Sequence, residues 1–442
     1  MTKKEEATQK LEKYNQHHIV NILEKLDEEN QQKLVNQIID MDFDQIINLY
    51  EQTKNNESKV AGKIEAIQAL DKSNIKKEEL ERLSEIGAET IRKGKYAVVT
   101  MAGGQGTRLG FNGPKGTYKL DIGENGKYIF EILADTLKRE SKELGAESNW
   151  YIMTSIENDE ATKKFFEEHN FFEINKDKVK FFTQSTLPLI DKEGKLLVGK
   201  DFKVREASDG NGGVYKALKT SGMLEDMKNN GIEWVLICGV DNIMAKMADP
   251  LYVGMAIDKN VPIASKSIPK AYPEERVGVF CKRDGKPSII EYIELSEEMR
   301  YERDGDGNLL YGDANIVNHL LRVDAIEEIA SKQLDYHLAV KKNAYINEEL
   351  EEIIPDEPNS YKFEAFIFDG FKFLEDMAVL RVKREEEFSP IKNKEGVDSP
   401  ASAKEIYCKY WNIVWKRIII LFQTYLWLKK VMLLNMEENN LW

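Results

Sequence analysis

The stretch between residues 96 and 116 constrains the fold of this chain more than any other. A run of apolar and β-branched side chains, Tyr96–Met101, leads directly into a glycine-rich loop that also carries Arg108 and Lys115. The glycines of this loop are Gly103, Gly104, Gly106 and Gly110. Such a run predicts a buried strand, and glycines allow backbone N–H groups to close around a phosphate or a flat base. A nucleotide triphosphate site at the end of the first long strand is therefore the leading hypothesis.

Two common nucleotide-binding loops do not fit this stretch. A Walker A loop requires Gly-Lys followed by Ser or Thr, whereas the chain reads Lys115-Gly116-Thr117. A dinucleotide-binding fingerprint requires a third glycine where Leu109 stands. The sequence therefore disfavours both a P-loop NTPase and a nicotinamide or flavin enzyme.

Apolar runs alternate with amphipathic stretches from Tyr96 onward. The predicted strands are residues 96–101, 150–154, 179–182, 234–240 and 262–267, and the predicted helices are residues 129–144, 159–169 and 213–229. This alternation predicts a Rossmann-like α/β fold with a mixed, mostly parallel central sheet flanked by helices. Because ligands of such sheets bind beyond the carboxyl ends of the strands, the glycine loop and Asp241 are expected to share one opening.

Composition and patterning predict three regions. Residues 1–92 show helical spacing of apolar side chains and predict a helical cap, with a partner-binding arm as the alternative. Residues 93–403 form the predicted catalytic domain and residues 404–442 an atypical tail. A net charge of −14 argues against binding to nucleic acid. Three scattered cysteines argue against a disulfide framework or structural zinc, and the charged N-terminus without an apolar leader favours the cytoplasm.

Between Gly103 and Gly116 the chain reads Gly-Gly-x-Gly-Thr-Arg-Leu-Gly and then Pro-Lys-Gly. This pattern resembles the signature of the UDP-sugar pyrophosphorylases (UDPGP type 1), and most of all the eukaryotic-type UDP-N-acetylglucosamine pyrophosphorylases. Eight further segments resemble the family in its order, and the resemblance extends from about Tyr96 to Ala403. They are residues 150–155, 181–188, 209–213, 240–242 with 248–250, 277–279, 290–292, 315–319 and 388–393.

The resemblance implies a nucleotide-diphospho-sugar transferase fold and a uridylyltransferase that makes a UDP-sugar and pyrophosphate from UTP and a hexose 1-phosphate. N-acetylglucosamine 1-phosphate is the favoured sugar, and glucose or galactose 1-phosphate is the alternative. A sugar-nucleotide-binding protein without turnover is the non-enzymatic alternative. No nucleic acid and no membrane span are expected, and a monomer is favoured.

The resemblance also implies roles for individual residues. The implied nucleotide contacts are Ala102, Gly103, Gly104, Gly106, Lys115, Gln184, Gly210, Asp241 and Lys362. The implied sugar contacts are Asn211, Gly278, Glu291, Asn315 and Lys392, and the implied catalytic residues are Arg108, Lys115 and Lys392. Mg²⁺ is the implied cofactor, with Asp241 as its ligand.

The chemistry of these residue types suits the implied reaction. Arg108 and Lys115 can stabilise the charge that builds up on departing pyrophosphate. Asp241 follows a strongly apolar run, and one carboxylate completed by substrate phosphates and water is a usual way to hold Mg²⁺. Ordinary turns at the glycines and at Asp241, and solvated surface cations, are the alternative interpretations.

The composition changes beyond residues 399–403. Four of the six tryptophans lie after residue 410, and the uncharged stretch 418–428 is shorter than the ~20 residues that span a bilayer. A reading-frame change near Lys404, a divergent packing helix and an interfacial membrane helix are the three explanations considered for this tail.

Overall fold

The computed structural model describes residues 1–54 and 62–439. Parts of the predicted N-terminal region (55–61) and of the predicted tail (440–442) lie outside the described residues. The helices are α1 (Lys3–Lys13), α2 (His17–Lys25), α3 (Glu28–Asp40), α4 (Phe43–Lys54), α5 (Lys77–Arg92), α6 (Ile129–Leu144), α7 (Asp159–Glu168), α8 (Val214–Thr220), α9 (Met223–Asn229), α10 (Pro250–Asp258), α11 (Glu297–Tyr301), α12 (Val323–Ala330), α13 (Arg384–Glu387) and α14 (Pro400–Asn439).

The strands vary from two to ten residues in length. They are β1 (Ile64–Ala66), β2 (Leu70–Asp71), β3 (Tyr96–Met101), β4 (Lys119–Leu120), β5 (Lys127–Tyr128), β6 (Asn149–Thr154), β7 (Val179–Thr183), β8 (Thr186–Pro188), β9 (Ile190–Asp191), β10 (Glu206–Ser208), β11 (Trp234–Gly239), β12 (Ile263–Pro269), β13 (Val279–Arg283), β14 (Lys286–Ile290), β15 (Asp313–Arg322), β16 (His337–Lys341), β17 (Tyr345–Ile346), β18 (Glu352–Ile353), β19 (Ser360–Glu364) and β20 (Met377–Arg381).

The central sheet has the strand order β2-β20-β12-β15-β11-β3-β6-β7. Five of its seven neighbouring pairs are parallel, and β15 runs antiparallel to both β11 and β12. All six residues of β3 and of β6 are buried, as expected for strands covered on both faces. The predicted mixed, mostly parallel sheet with flanking helices is confirmed. β15 is the antiparallel strand within this order, and β13, β14 and β1 extend the sheet beside β15 with further antiparallel pairs.

One predicted helix is wrong in detail. Residues 213–229 form two helices, α8 and α9, instead of one. Gly222 separates them with a φ of +77°, a left-handed conformation that glycine adopts without steric cost and that an α-helix cannot continue through. The predicted helix over 129–144, in contrast, has the bounds of α6.

The N-terminal residues divide between two parts of the molecule. Helices α1 to α4 build a separate apolar cluster with strands that come from later in the chain, through side chains such as Leu187, Ile190 and Phe363. We call α1 to α4 with β8 to β10 and β16 to β19 the helical lobe. Residues 64–92 instead join the central sheet, because β1 pairs with β13, β2 pairs with β20, and α5 packs on α10. The predicted boundary at residue 92 therefore does not coincide with this structural division.

The C-terminal helix α14 is attached to the sheet domain through its first turns. Lys404 forms an ion pair with Asp121 at 2.5 Å, and the Arg139 guanidinium lies 4.6 Å from the centre of the Trp411 ring. Further along, Ile413, Trp415, Ile418 and Ile419 are exposed. Among the described residues, no helix combines the length and the apolar character that crossing a membrane requires. The three explanations considered for the tail stay predictions.

Candidate active site

A cleft of about 1120 Å³ lies between the carboxyl ends of β3, β6 and β11 and the helical lobe. Seven residues singled out from the sequence line it: Gly103, Gly104, Arg108, Lys115, Asp241, Lys362 and Lys392. They come from segments that are as much as 289 positions apart in the chain. The expected shared opening for the glycine loop and Asp241 is therefore present.

Backbone hydrogen bonds fold the glycine loop back on itself. The Lys115 N–H donates to the Gly104 carbonyl at 3.0 Å, and the Gly106 N–H donates to the Gly113 carbonyl at 2.9 Å. These bonds bring Lys115 beside the start of the loop. Gly106 is buried against the Phe111 ring and does not line the cleft, so its glycine is explained by packing within the protein.

Lys115 and Asp241 face each other across the cleft floor. Lys115 Nζ lies 3.9 Å from Asp241 Oδ2, and the two side chains are 17% and 26% exposed. Burial lowers the pKa of Lys115, Asp241 opposes that effect, and the nearby Lys392 and Arg108 add to it. A partly desolvated cation with an imperfect partner is an arrangement that an incoming anion would stabilise.

The segment that carries Lys392 is bound to the loop that carries Asp241. The Asn242 side chain donates to the Glu387 carbonyl at 2.8 Å and accepts from the Ser389 N–H at 2.9 Å. The Ile391 N–H donates to the Asp241 carbonyl at 3.0 Å. The hydrogen bonds of Asp241 and Asn242 therefore fix the position of the Lys392 segment relative to Asp241.

Behind this segment lies a group of charged side chains that we call the buried ion cluster: Lys72, Lys246, Asp249, Lys266 and Glu387. Lys266 Nζ lies 2.7 Å from Asp249 Oδ2 and also forms an ion pair with Glu387. Lys246 and Lys72 contact the same Glu387 carboxylate at 3.0 and 3.5 Å. Burial alone would raise the pKa of both carboxyl groups, but the three lysines hold each one below its usual range. The sequence analysis assigned no role to these residues.

Lys362 is one of the residues that line the cleft, whereas Gln184 is not. Lys362 lines the cleft from β19, where Nζ donates to Ser208 Oγ at 3.2 Å and pairs with Glu364. Gln184 is buried beside Gly103, and a Cβ at position 103 would stand 2.5 Å from Gln184 Oε1. A side chain at position 103 would therefore displace the Gln184 amide from its place beside the loop.

Two of the implied nucleotide contacts are occupied by protein neighbours. Ala102 is 1% exposed, its N–H donates to Met153 and its carbonyl accepts from Asn158. Gly210 has a φ of +89°, and a Cβ there would stand 2.3 Å from the Ala365 carbonyl oxygen. The glycine at position 210 is thus required by backbone packing without any ligand.

Four implied sugar contacts are not among the described residues that line the cleft: Asn211, Gly278, Glu291 and Asn315. The structure brings three of them together elsewhere. The Asn315 N–H donates to the Gly278 carbonyl at 2.8 Å, and a Cβ on Gly278 would stand 2.9 Å from Glu291 Oε1. Burial raises the pKa of Glu291, and the neighbouring Glu294 adds to this. Asn211 Oδ1 accepts from the Ile367 N–H at 2.9 Å, which leaves its amide group for other contacts.

The cleft also contains residues that the sequence analysis missed. Arg205, Lys341, Lys342 and Asn343 line it from the helical lobe, and Ser155 lines it at the end of β6. Ser155 ends a segment that resembles the family but was assigned no role, and the other four residues belong to no motif that we recognised. Charged side chains in a chain with 63 lysines and arginines carry no positional signal of their own. Among the described residues the cleft is lined by seven cationic and four acidic side chains, against the acidic balance of the whole chain.

The chain is similar to known proteins over most of its length. The family model described as UTP–glucose-1-phosphate uridylyltransferase matches residues 41–435. The match includes residues 41–95 and 404–435, so the limits that the motifs placed at about Tyr96 and Ala403 were too narrow.

Two relatives and one solved structure illustrate the similarity. The human UDP-N-acetylhexosamine pyrophosphorylase-like protein 1 is 41% identical over 73% of this chain and 66% of its own length. UDP-N-acetylglucosamine diphosphorylase 2 of Arabidopsis thaliana is 36% identical over 90% and 82%. The crystal structure of the uridine diphosphate N-acetylglucosamine pyrophosphorylase from Trypanosoma brucei, with an inhibitor, matches with a TM-score of 0.80 at 29% identity, over 92% of this chain and 84% of that one. The chain belongs to the UTP–glucose-1-phosphate uridylyltransferase family.

Proposed function

We propose that this protein is a uridylyltransferase that converts UTP and N-acetylglucosamine 1-phosphate into UDP-N-acetylglucosamine and pyrophosphate. The observation that carries the proposal is the meeting of the glycine loop, Arg108, Lys115, Asp241 and Lys392 in one cleft. A glycine-lined backbone suits a flat base and phosphates, and fixed cations suit a polyphosphate.

The reaction needs positioning and charge stabilisation more than it needs a protein nucleophile. A phosphate oxygen of the sugar 1-phosphate attacks the α-phosphorus of UTP, the bond from that phosphorus to the bridging oxygen breaks, and pyrophosphate leaves with the bonding electrons. Arg108 and Lys115 stabilise the charge on the leaving group, and Lys392 orients the attacking phosphate.

Asp241 fits the Mg²⁺ that this chemistry calls for. Its half-buried carboxylate faces the cleft, and Mg²⁺ commonly takes one or two protein carboxylates with substrate phosphates and water. In the part of the chain that the structure describes, no group of three or more His, Cys, Asp or Glu side chains could hold a metal ion. A bound Mg²⁺ would neutralise phosphate charge, and the chain's own contribution is one carboxylate on a loop fixed by Asn242.

The sugar is assigned from relatives. The names of the human and Arabidopsis proteins support an N-acetylated hexosamine, whereas the family description supports glucose 1-phosphate as the second candidate.

Release of pyrophosphate from UTP and Mg²⁺, measured with a panel of sugar 1-phosphates, tests the proposal. We expect the highest kcat/KM with N-acetylglucosamine 1-phosphate. A higher value with glucose or galactose 1-phosphate would assign that sugar phosphate as the substrate instead. Lys115→Ala should slow release by about 10²–10³-fold, whereas substitution of Lys119, an exposed lysine on the following strand, by alanine should leave the rate unchanged. If the protein binds UTP and a sugar 1-phosphate but releases no pyrophosphate with any member of the panel, it is better described as a sugar-nucleotide-binding protein without turnover.

A further inference from the structure

The wall of the cleft that faces the glycine loop is formed by the helical lobe. Lys341 ends β16 and lies opposite Ser360 of β19, while Lys362 of β19 lies opposite Ala339. Side chains two positions apart on a strand share a face, so Lys341 and Lys362 project from the same face of this small sheet. Diagonal neighbours on a sheet are about 7–8 Å apart, which is within the reach of two lysines that contact one extended anion.

Backbone contacts hold the rest of this wall in place. Arg205 Nε donates to the Ala344 carbonyl at 2.8 Å, which fixes the arginine beside the turn that follows β16. The Asn343 amide donates to Ser360 Oγ at 2.8 Å, and Ser360 is buried. Lys342 lies between Asn343 and Lys341, whose carbonyl accepts from the Asn359 N–H at 3.0 Å, so its backbone position is set before any ligand arrives.

The wall cations are not held in ion pairs within the part of the chain that the structure describes. None of the ion pairs between described residues includes Arg205, Lys341 or Lys342, and both lysines are exposed. The nearby Glu206 carboxylate instead accepts hydrogen bonds from Thr186 Oγ1 and Gln37 Nε2. In a chain with 77 acidic residues, three neighbouring cations at a cleft that form no ion pair with a described residue favour an anionic ligand.

We propose that Arg205, Lys341 and Lys342 form a second phosphate-binding wall that contacts the pyrophosphate part of the nucleotide, across the cleft from Arg108 and Lys115. This inference rests on the proposed function. Pyrophosphate carries several negative charges, which the two cations of the glycine loop do not balance. Lys341 shares a face of the sheet with Lys362, so one extended anion can contact both lysines.

Lys341→Met and Lys342→Met in one protein, compared with Lys192→Met, provide the test. Lys192 is exposed on the helical lobe and does not line the cleft. Loss of two charge-assisted contacts is expected to raise the KM for pyrophosphate in the reverse reaction and for UTP in the forward reaction roughly tenfold. The KM for the UDP-sugar, which lacks the departing phosphates, should not change, and Lys192→Met should change none of the three.

Two kinetic outcomes would contradict the proposed contacts between this wall and pyrophosphate. One is an unchanged KM for pyrophosphate, and the other is a rise in KM that is confined to the UDP-sugar or the sugar 1-phosphate. Calorimetric binding of inorganic pyrophosphate to the wild-type and doubly substituted proteins separates this inference from the proposed function. If the wild-type protein releases no pyrophosphate from any substrate, weaker binding of pyrophosphate to the double variant still supports the wall, and equal binding refutes it.

Discussion

The buried ion cluster and the cleft both contain groups of charged side chains, but the charges are paired to different extents in the two places. In the cluster, Lys266 is 0% exposed and Glu387 2% exposed, and every member has an opposite charge within 3.5 Å. In the cleft, Lys115 has one carboxylate at 3.9 Å, and the described part of the chain offers Arg108 and Lys341 no ion pair. Buried charges need opposite charges close by, because burial removes their hydration. A site for anions instead needs cations near solvent that are only partly paired within the protein. The difference supports a structural role for the cluster and agrees with our proposal that the cleft binds phosphate.

Removal of one partner from the cluster should have the largest effect on stability. Glu387→Ala leaves three lysines with the single carboxylate of Asp249, so we expect a loss of about 3–5 kcal/mol in the free energy of unfolding. Urea denaturation measures this loss. The adjacent Glu386→Ala removes only an exposed contact to Lys383 at 3.4 Å and should cost less than ~1 kcal/mol.

A triple substitution examines the cause of that loss. Lys266→Met and Glu387→Leu, combined with Asp249→Asn so that no buried carboxylate stays unpaired, remove the charges of the three most buried members and should recover much of the lost stability, because Lys72 and Lys246 are 26% and 25% exposed and can be hydrated. Equal stability of Glu387→Ala and Glu386→Ala would show that the cluster is open to water, and the contrast with the cleft would fail.

Lys115→Met, in contrast to Glu387→Ala, should lower activity and not stability. We expect a loss of kcat of about 10²–10³-fold, which is typical for removal of one stabilising charge from a transition state. Stability should not fall, because burial lowers the pKa of Lys115 and the folded state therefore disfavours its charged form. Pyrophosphate release and thermal unfolding of the same preparation measure both quantities.

The pH dependence of stability follows from the same shift. The pKa of Lys115 is lower in the folded state than in the unfolded chain, so between these two values the unfolded chain binds more protons. The charged lysine therefore costs stability below the folded pKa, and that cost disappears as the pH rises towards the unfolded pKa. The stability advantage of Lys115→Met should shrink over this alkaline range, and an advantage that grows with pH would contradict the desolvated state of Lys115.

The same contrast applies to the backbone of the glycine loop. A Cβ at Gly106 would stand 2.6 Å from the Phe111 ring, whereas a Cβ at Gly104 would meet nothing within 4 Å. If a nucleotide covers the loop, Gly104→Ala should raise the KM for UTP by about tenfold because the backbone can no longer approach the ligand. Stability should stay within about 1 kcal/mol of the wild type, since Gly→Ala at a compatible site is neutral or stabilising.

Gly305→Ala is the matched control for this change, because a Cβ at Gly305 also meets nothing within 4 Å and the residue lies outside the cleft. A KM for UTP that is the same in both variants would place the nucleotide away from the loop.

The sequence predicted the parts of the molecule that local pattern and strand ends determine. The strand Tyr96–Met101 and the helix Ile129–Leu144 have the expected bounds, because long apolar or amphipathic runs carry a strong periodic signal. Lys115 and Asp241 were expected at one opening because both follow parallel strands, and they meet there.

The remaining features depend on contacts that no local pattern encodes. The buried ion cluster gathers lysines from three separate places in the chain, and a lysine such as Lys266 on β12 looks the same in sequence whether it is buried or solvated. Lys341 gains its place beside the cleft from its register with Ser360. The roles implied by family resemblance for Asn211, Gly278, Glu291 and Asn315 stay predictions, since these residues lie apart from the residues that line the cleft.

Asp398 offers the smallest test, because it lies between the two classes of charge. Its Oδ2 is 3.9 Å from Lys392 Nζ, and its carbonyl accepts the Lys392 N–H at 2.6 Å. Asp398 has a φ of +56°, a conformation that asparagine also tolerates, so Asp398→Asn removes the charge and keeps the backbone. Burial raises the pKa of this carboxyl while Lys392 opposes the rise, which indicates a weak pair.

Asp398→Asn should free Lys392 to contact the sugar phosphate. We therefore expect the KM for the sugar 1-phosphate to fall about two- to threefold, an effect of the size expected for an exposed ion pair. Asp356→Asn, an exposed aspartate outside the cleft, should leave that KM unchanged. If the KM for the sugar 1-phosphate rises instead, Asp398 orients Lys392 for the sugar phosphate. Lys392 would then depend on a carboxylate partner, as the lysines of the buried ion cluster do.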